Sequence, residues 1–297
     1  MPPSQFGGFG ELDVVLRIPP VTLRIRSPFP SVRRHLAHHY PTYQGAGPDN
    51  FVDFDIEIRN AAGLRRLFSP QARFIVDGEE PFLPLPGDQA APLFEWGLNW
   101  CLASRPLGLL TIHAAVLARN DQAILLPGFP GAGKSTLCAA LTFLGGWRLL
   151  SDELALIEPD SNTLLPNPRP ISLKNQSIEI VRGFSGAVLG EAYLDTRKGT
   201  VCHAAAPLAS VAQGETPARC RWVVFPRFQA DGESSVTEIS RSEAFSLIAQ
   251  QSFNKERMGD RGFVGLCNLL AGARCFQIGY RSTSESLELI DAVTHLP

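Results

Sequence analysis

The segment Gly128–Thr136 reads Gly-Phe-Pro-Gly-Ala-Gly-Lys-Ser-Thr and matches the phosphate-binding pattern G-x-x-x-x-G-K-[ST] in full. Glycines let the backbone turn sharply and point successive N–H groups at an anion, and a helix that begins at the lysine adds its positive N-terminal end. In such loops the lysine reaches the β- and γ-phosphates, and the next hydroxyl can bind magnesium. A chance match in a glycine-rich turn is the alternative. We predict that ATP binds, with Mg²⁺, at Gly128, Gly131, Ala132, Gly133, Lys134, Ser135 and Thr136.

Two adjacent acids follow about twenty residues later, where the apolar run Trp147–Leu150 leads through a serine to Asp152 and Glu153. An acid at the end of such a strand helps to hold the metal in phosphate-loop proteins, so we predict Ser135, Asp152 and Glu153 as the metal-binding residues. Asp152 is also predicted as the catalytic base, because an aspartate at a strand tip lies close to the loop. Glu153 is either a second residue near the metal or exposed, and ordinary solvated carboxylates are the alternative for both acids.

His113 is of interest because of its position in a predicted hairpin. If residues 120 and 121 form a tight two-residue turn, the flanking strands pair so that His113 lies opposite Gly128, the first glycine of the loop. A β-bulge would shift this pairing by one residue. We predict a catalytic position for His113, beside the γ-phosphate or beside the catalytic acid, together with Lys134, Asp152 and Glu153. A core histidine bonded to the backbone is the alternative.

The first hundred residues alternate apolar and polar positions, as half-buried antiparallel strands do. The predicted strands are Glu11–Ile18, Val21–Arg26, Phe51–Ile58 and Ala72–Val76. From Asp88 to Ser104 the spacing becomes helical, and Gly97 on the apolar face permits close packing. We therefore predict a β-rich N-terminal lobe over residues 1–105, closed by a helix.

The rest of the chain predicts an α/β fold (α+β for the chain overall), with a phosphate-loop domain over residues 106–297. Long apolar runs at 107–118 and 123–127 indicate strands, and the second is typical of a strand buried on both faces. A helix is predicted from Lys134 to about Leu144, followed by strands at Trp147–Leu150 and Glu153–Glu158. Two S-x-x-E capping boxes, at Ser240 and Ser282, predict helices that each follow a strand-like run, at Arg221–Phe225 and Arg274–Tyr280.

Several of these segments resemble a known family. Thr111–Ala115, the Gly128–Thr136 loop and Leu149–Glu153 resemble the catalytic core of the HPr kinase/phosphorylase family, whose phosphate-loop domain is related to phosphoenolpyruvate carboxykinase. The fuller pattern resembles the HPr-kinase-related kinase A group, and it also includes Asp88–Ala90, Glu95–Cys101, Pro170–Asn175, Lys198–Thr200 and Trp222–Arg227. The resemblance covers most of the chain, although only the phosphate loop is sharply specific by itself.

The resemblance implies transfer of the ATP γ-phosphate to a serine hydroxyl of a small carrier protein. Lys134 and Ser135 match the family's phosphate and metal positions, and Asp152 and Glu153 fall on two adjacent aspartates, one of which is the base. The second acid is glutamate here, which leaves the division between base and metal ligand open. The chain has no clear counterpart of the glycine-rich signature associated with reverse phosphorolysis, so that activity is not implied.

Composition limits the classes of partner. The 297 residues carry a formal net charge of −2, which gives no bulk attraction to nucleic acid or to an anionic membrane. The apolar runs are too short for a transmembrane helix, and the first twenty residues do not resemble a signal peptide. Six scattered cysteines without a C-x-x-C motif predict buried thiols in a reducing compartment, and hence a cytoplasmic protein. The oligomeric state stays open, a homo-oligomer included.

The remaining candidate residues are single cations, a basic run and two tryptophans. Four downstream cations could meet phosphate or acceptor, although each alone is more typical of a surface charge: Lys174, Arg182, Lys198 and Arg227. The basic run Arg33, Arg34, His35, His38 and His39 is interpreted as a solvated helix face, and Trp96 and Trp100 as core. We predict an ATP-dependent kinase that phosphorylates a hydroxyl, serine by resemblance, of a peptide or small protein. A small-molecule kinase and a nucleotide-gated ATPase or binding module are the alternatives.

Overall fold

The computed structural model describes residue 6 and residues 10–45, 51–62, 68, 70–105, 107–129 and 131–295. One residue of the phosphate-binding segment, Pro130, lies outside these ranges. None of the helices within them combines the length and the apolar character that crossing a membrane requires.

The N-terminal elements form a five-stranded sheet in the order β1-β2-β3-β4-β5, with two helices packed on it. They are β1 (Leu12–Ile18), β2 (Val21–Ser27), α1 (Pro30–His39), β3 (Phe54–Asn60), β4 (Gln71–Val76), β5 (Leu85–Pro86), a 3₁₀ turn (Gly87–Gln89) and α2 (Ala90–Ser104). The predicted strands are therefore present. The antiparallel arrangement that their alternation suggests holds for β1–β2, β3–β4 and β4–β5, but not for β2 and β3. β2 and β3 are parallel, with Leu23 opposite Phe54. The connection that contains α1 returns the chain to the end of the sheet at which β2 begins, so β3 runs in the same direction as β2.

Helix α2 lies close against the first sheet. Gly97 permits this approach, because a Cβ at that position would overlap the ring of Phe74 on β4. Leu154 and Leu156, from the second half of the chain, complete the same apolar core. The two halves of the chain thus share one apolar core, and the packing does not separate them at residue 105. The predicted domain boundary at that residue stays a prediction.

Helix α1 overturns one prediction. The solvated face was predicted for Arg33, Arg34, His35, His38 and His39, yet His35 and His39 are only 4% and 3% exposed. Their rings lie 5.2 and 6.1 Å from the ring of His203, and His35 Nε2 donates to Glu95 Oε1 at 2.8 Å. Contacts with α2 and with the second half of the chain cover this face, which local charge alone could not indicate.

The second half of the chain is a mixed α/β structure, as predicted. Its elements are β6 (Leu110–Arg119), β7 (Gln122–Pro127), α3 (Lys134–Phe143), β8 (Arg148–Ser151), β9 (Leu154–Ile157), β10 (Thr163–Leu165), β11 (Ile171–Lys174), α4 (Gln176–Arg182), β12 (Tyr193–Thr196), β13 (Gly199–Ala204), α5 (Leu208–Ala212), β14 (Ala218–Phe228), β15 (Ser235–Glu238), α6 (Arg241–Ala249), α7 (Lys255–Met258), α8 (Asp260–Ala271), β16 (Arg274–Tyr280) and α9 (Thr283–His295). The main sheet has the order β10-β9-β6-β7-β14-β16-β15, and β8 pairs with β6.

Strands β7, β14 and β16 are parallel neighbours, so their carboxyl ends meet at one edge of the main sheet. Ligands of open α/β sheets bind beyond such carboxyl ends. Helices α3 and α9 cover one face of this sheet, and α6 and α8 cover the other. A small sheet of order β11-β13-β12 packs on the far side of α3.

Local signals in the sequence correspond to observed contacts. Both predicted serine caps are confirmed, because Ser240 Oγ accepts from the Glu243 N–H and Ser282 Oγ from the Glu285 N–H, each at 3.2 Å. Five of the six cysteines are buried as predicted, whereas Cys267 is exposed. This thiol lies on the outer face of α8, opposite the buried Leu266, Leu269 and Leu270.

Candidate active site

The loop that the sequence predicts to bind phosphate, called the phosphate-binding loop below, joins the end of β7 to the start of α3. Gly131 and Gly133 have φ values of 86° and 84°, a backbone region that favours glycine. A Cβ at Gly133 would also lie 2.5 Å from the hydroxyl of Tyr280 and 3.1 Å from Cβ of Phe228. The glycine therefore serves both the turn and the close approach of the loop to the ends of β14 and β16.

Asp152 lies directly beneath this loop. Its Oδ2 accepts from Ser135 Oγ at 3.2 Å and from the Ser172 N–H at 3.0 Å. Lys134 Nζ donates to the Asp152 carbonyl at 2.5 Å and lies 3.4 Å from Oδ1. The Asp152 side chain is only 3% exposed. A hydroxyl and a carboxylate oxygen held this close are the ligands that Mg²⁺ prefers, so these residues fit the predicted metal.

Glu153 has a different environment from its neighbour. Its Oε2 accepts a hydrogen bond from the side-chain amide of Asn99, and its Oε1 lies 3.8 Å from Lys174 Nζ. Burial raises the pKa of Glu153, but the neighbouring cations, Lys134 first and then Lys198, more than offset this and hold the pKa below its usual value. Glu153 is thus a carboxylate at neutral pH.

Glu153 lies at the wall of a cleft of about 780 Å³ that also contains the phosphate-binding loop and His113. The predicted hairpin register is confirmed, because Arg119 pairs with Gln122 and the ladder continues inward to Ala114 opposite Pro127. The next step places His113 level with Gly128. Burial, and next the charge of Lys134, lower the pKa of His113, so this imidazole is neutral at pH 7.

Aromatic side chains form the opposite wall of the cleft. Trp96 and Trp100 pack against the first core, as predicted, but they also line the cleft together with Phe253. Lys198 Nζ lies 5.1 Å from the ring centroid of Trp96, within the range of a cation–π contact. The interpretation of the two tryptophans as core only was therefore incomplete.

The four downstream cations separate into three locations. Lys174 and Lys198 line the acid-containing cleft. Arg227 lines a second cleft of about 480 Å³, on the other side of the phosphate-binding loop, where β14, β15 and β16 contribute Phe225, Thr237 and Gln277. Arg182 is exposed and pairs with Glu179 on its own helix.

A buried polar network supports Glu153 from behind. Arg169 donates one hydrogen bond to the side-chain oxygen Oδ1 of Asn99 and another, at 3.3 Å, to Glu95 Oε2. Glu95 in turn accepts from His35, so the network runs from the acid into the N-terminal lobe. Sequence reasoning missed Asn99 and Arg169 as site residues, although Asn99 falls inside a segment that carries the family resemblance.

Comparisons with known proteins add little to this geometry. No family model and no curated protein matches the chain. Among solved structures, the Hpr(Ser) kinase/phosphatase from Coxiella burnetii is similar at 14% identity, covering 62% of this chain and 97% of that chain, with a TM-score of 0.26. A likeness this weak carries no conclusion about activity, so the function is argued from the site itself.

Proposed function

We propose that this chain is an ATP-dependent kinase that transfers the γ-phosphate to a hydroxyl of a peptide or protein, as the sequence resemblance implies. One observation carries the proposal. A complete phosphate-binding loop, two acids in different environments and an open cleft meet at the same edge of the sheet. Binding alone would need the loop, whereas transfer also needs a base and room for an acceptor.

The two clefts beside the loop suggest how the substrates divide. The larger cleft contains Lys134, Ser135 and Glu153, and is assigned to the γ-phosphate and the acceptor. The smaller cleft has no acid among the described residues that line it and presents Thr237 and Gln277, whose polar groups suit a nucleoside. This assignment puts the nucleoside beyond the carboxyl ends of β14 and β16.

Ser135 and Asp152 are assigned to the metal, because their oxygen atoms lie together and Asp152 is closed off from the large cleft. Mg²⁺, when bound, neutralises charge that develops on the phosphates. Lys134 now contacts Asp152, and it would exchange this partner for the β- and γ-phosphates. The backbone N–H groups of residues 131–135 would orient the same phosphates.

Glu153 is assigned as the base. It accepts the proton of the acceptor hydroxyl while that oxygen bonds to the γ-phosphorus, and the bond to the β,γ-bridging oxygen breaks with its electron pair leaving on ADP. This division of roles is the reverse of the one that the sequence favours, since Asp152 has its oxygens occupied and Glu153 lines the acceptor cleft. His113 lies in the same cleft and remains a candidate for orienting the acceptor.

The test follows the labelled γ-phosphate of ATP in a lysate of the source organism. We expect label on a polypeptide with the wild-type chain and a loss of about 10²–10³ with Lys134→Ala, which removes a charge from the phosphates. Arg182→Ala, an exposed cation outside both clefts, serves as the matched control and should transfer normally. Label on small molecules only, or release of inorganic phosphate without transfer, would overturn the proposal.

A further inference from the structure

The larger cleft contains two cations, Lys174 and Lys198, to which the proposed chemistry assigns no contact with a substrate. Lys134 contacts Asp152, and thus belongs to the phosphate side of the site. Lys174 lies 3.8 Å from Glu153, which is longer than a hydrogen bond. Among the residues that the structure describes, no carboxylate oxygen lies within 4.0 Å of the Lys198 ammonium, which instead lies over Trp96. Lys174 is therefore only loosely paired with Glu153, and both ammonium groups can also contact an anion in the cleft.

The backbone holds these two lysines side by side. Asn175, which follows Lys174, has a positive φ of 50° and donates its N–H to the Thr200 carbonyl at 2.9 Å. The Asn175 side chain accepts from the Thr200 N–H at 3.1 Å. Gly199 has a φ of 80°, and a Cβ there would overlap the Asn175 amide. The end of β11 and the β12–β13 turn are thus tied together.

The N-terminal lobe fixes the same turn from the other side. Gln89 donates a side-chain hydrogen bond at 3.2 Å to the carbonyl of Asp195, and the Lys198 N–H bonds to Thr196 Oγ1 at 3.1 Å. The position of Lys198 therefore depends on contacts with both halves of the chain.

The lysines lie on the acceptor side of the site. Lys174 neighbours Glu153, and Lys198 neighbours Trp96 of the aromatic wall. The cleft is open, and its edge exposes 50% of Phe129 and 51% of Phe253, which offers apolar contact to side chains of a bound segment. An acceptor that fits here presents its hydroxyl to Glu153 and negative charge to Lys174 and Lys198.

We propose that Lys174 and Lys198 bind the acceptor and select a peptide segment in which acidic side chains flank the reactive serine. This inference rests on the proposed function, because it assigns the acceptor of that reaction. It adds a specificity element that the phosphate-binding loop and the acid pair do not contain.

The test uses short blocked peptides of equal length with a single serine, flanked by glutamate, glutamine or lysine. The wild-type chain should phosphorylate the glutamate peptide about tenfold more efficiently, in kcat/KM, than the glutamine peptide, the effect of roughly two screened ion pairs. The double variant Lys174→Glu/Lys198→Glu should prefer the lysine peptide. Arg182→Glu changes an exposed charge outside both clefts and should keep the wild-type preference.

A binding measurement separates this inference from the proposed function. Anisotropy of the fluorescent glutamate peptide, with a non-hydrolysable ATP analogue present, should report binding that the double variant loses. Charge-dependent binding without phosphorylation would overturn the kinase proposal and keep the acceptor site. Phosphorylation without charge preference would do the reverse.

Three further outcomes would overturn the acceptor assignment. The glutamate peptide could fail to bind the wild-type chain. The double variant could lose affinity for the ATP analogue by the same factor as for the peptide, which would assign the lysines to the nucleotide. Glycerate could accept phosphate while no peptide does, which would make the anionic acceptor a small molecule.

Discussion

The phosphate-binding loop and helix α2 form facing walls of one cleft but are built in different ways. The loop is shaped by its own backbone, through positive φ at Gly131 and Gly133. The α2 wall is made of side chains, and Asn99 is held in place by Arg169 from the other half of the chain. One wall thus depends on a short segment of sequence, and the other on the packing of two lobes.

This difference separates binding from positioning. The loop can hold phosphates wherever the strand and helix that flank it are formed. Glu153, the proposed base, is held by a hydrogen bond from Asn99 on α2. Perturbing the contact between the lobes should therefore reduce transfer without removing nucleotide binding.

The contact between the lobes buries two histidines, and the largest effect that we expect from it is on the pH dependence of stability. Burial lowers the pKa of His39 to about 2 and that of His203 to about 4, from an ordinary 6.5. Between pH 6.5 and about 4 the unfolded chain therefore binds more protons than the folded chain. The free energy of unfolding consequently decreases as the pH is lowered through this range. We expect a loss on the order of 1–3 kcal/mol between pH 7 and pH 5, measured by urea unfolding.

Controls assign this loss to the buried histidines. Glu95, which also faces them, has its pKa lowered in the folded chain and contributes mainly below its ordinary value of 4.5. His203→Leu should reduce the loss between pH 7 and pH 5 by about half, because His39 still contributes, whereas replacement of the exposed His38 by glutamine should leave it unchanged. A wild-type stability that is constant from pH 7 to pH 5 would contradict the burial of these rings.

A smaller effect is expected from Asn99→Ala. The Asn99 amide donates to the ionised form of Glu153, so its removal raises the pKa of Glu153 and misplaces the carboxylate. We expect kcat to fall about tenfold, as for loss of one hydrogen bond to a charged group, and the acidic limb of its pH profile to move upward. Asn268→Ala, which removes a distant side-chain contact to Pro159, is the control. A lower kcat with an unchanged pH profile would reduce Asn99 to a structural role.

The same contrast explains which features of the fold and of the site could be predicted from the sequence. Gly128–Thr136 was recognisable because its chemistry lies in consecutive backbone positions, and the hairpin register followed from a two-residue turn. The burial of His35, the parallel pairing of β2 with β3 and the contact of Asn99 with Glu153 were not predictable. Each depends on residues far apart in the chain, and the last of these contacts joins the two halves.

The paired variants Glu153→Gln and Asp152→Asn test the central claim most directly. Phosphoryl transfer and Mg²⁺-dependent nucleotide affinity are measured on both. The account predicts that Glu153→Gln lowers transfer by about 10²–10⁴ while keeping affinity, and that Asp152→Asn loses the gain in affinity from Mg²⁺. Wild-type transfer by Glu153→Gln, with transfer lost and Mg²⁺-dependent affinity intact in Asp152→Asn, would contradict it and make Asp152 the base.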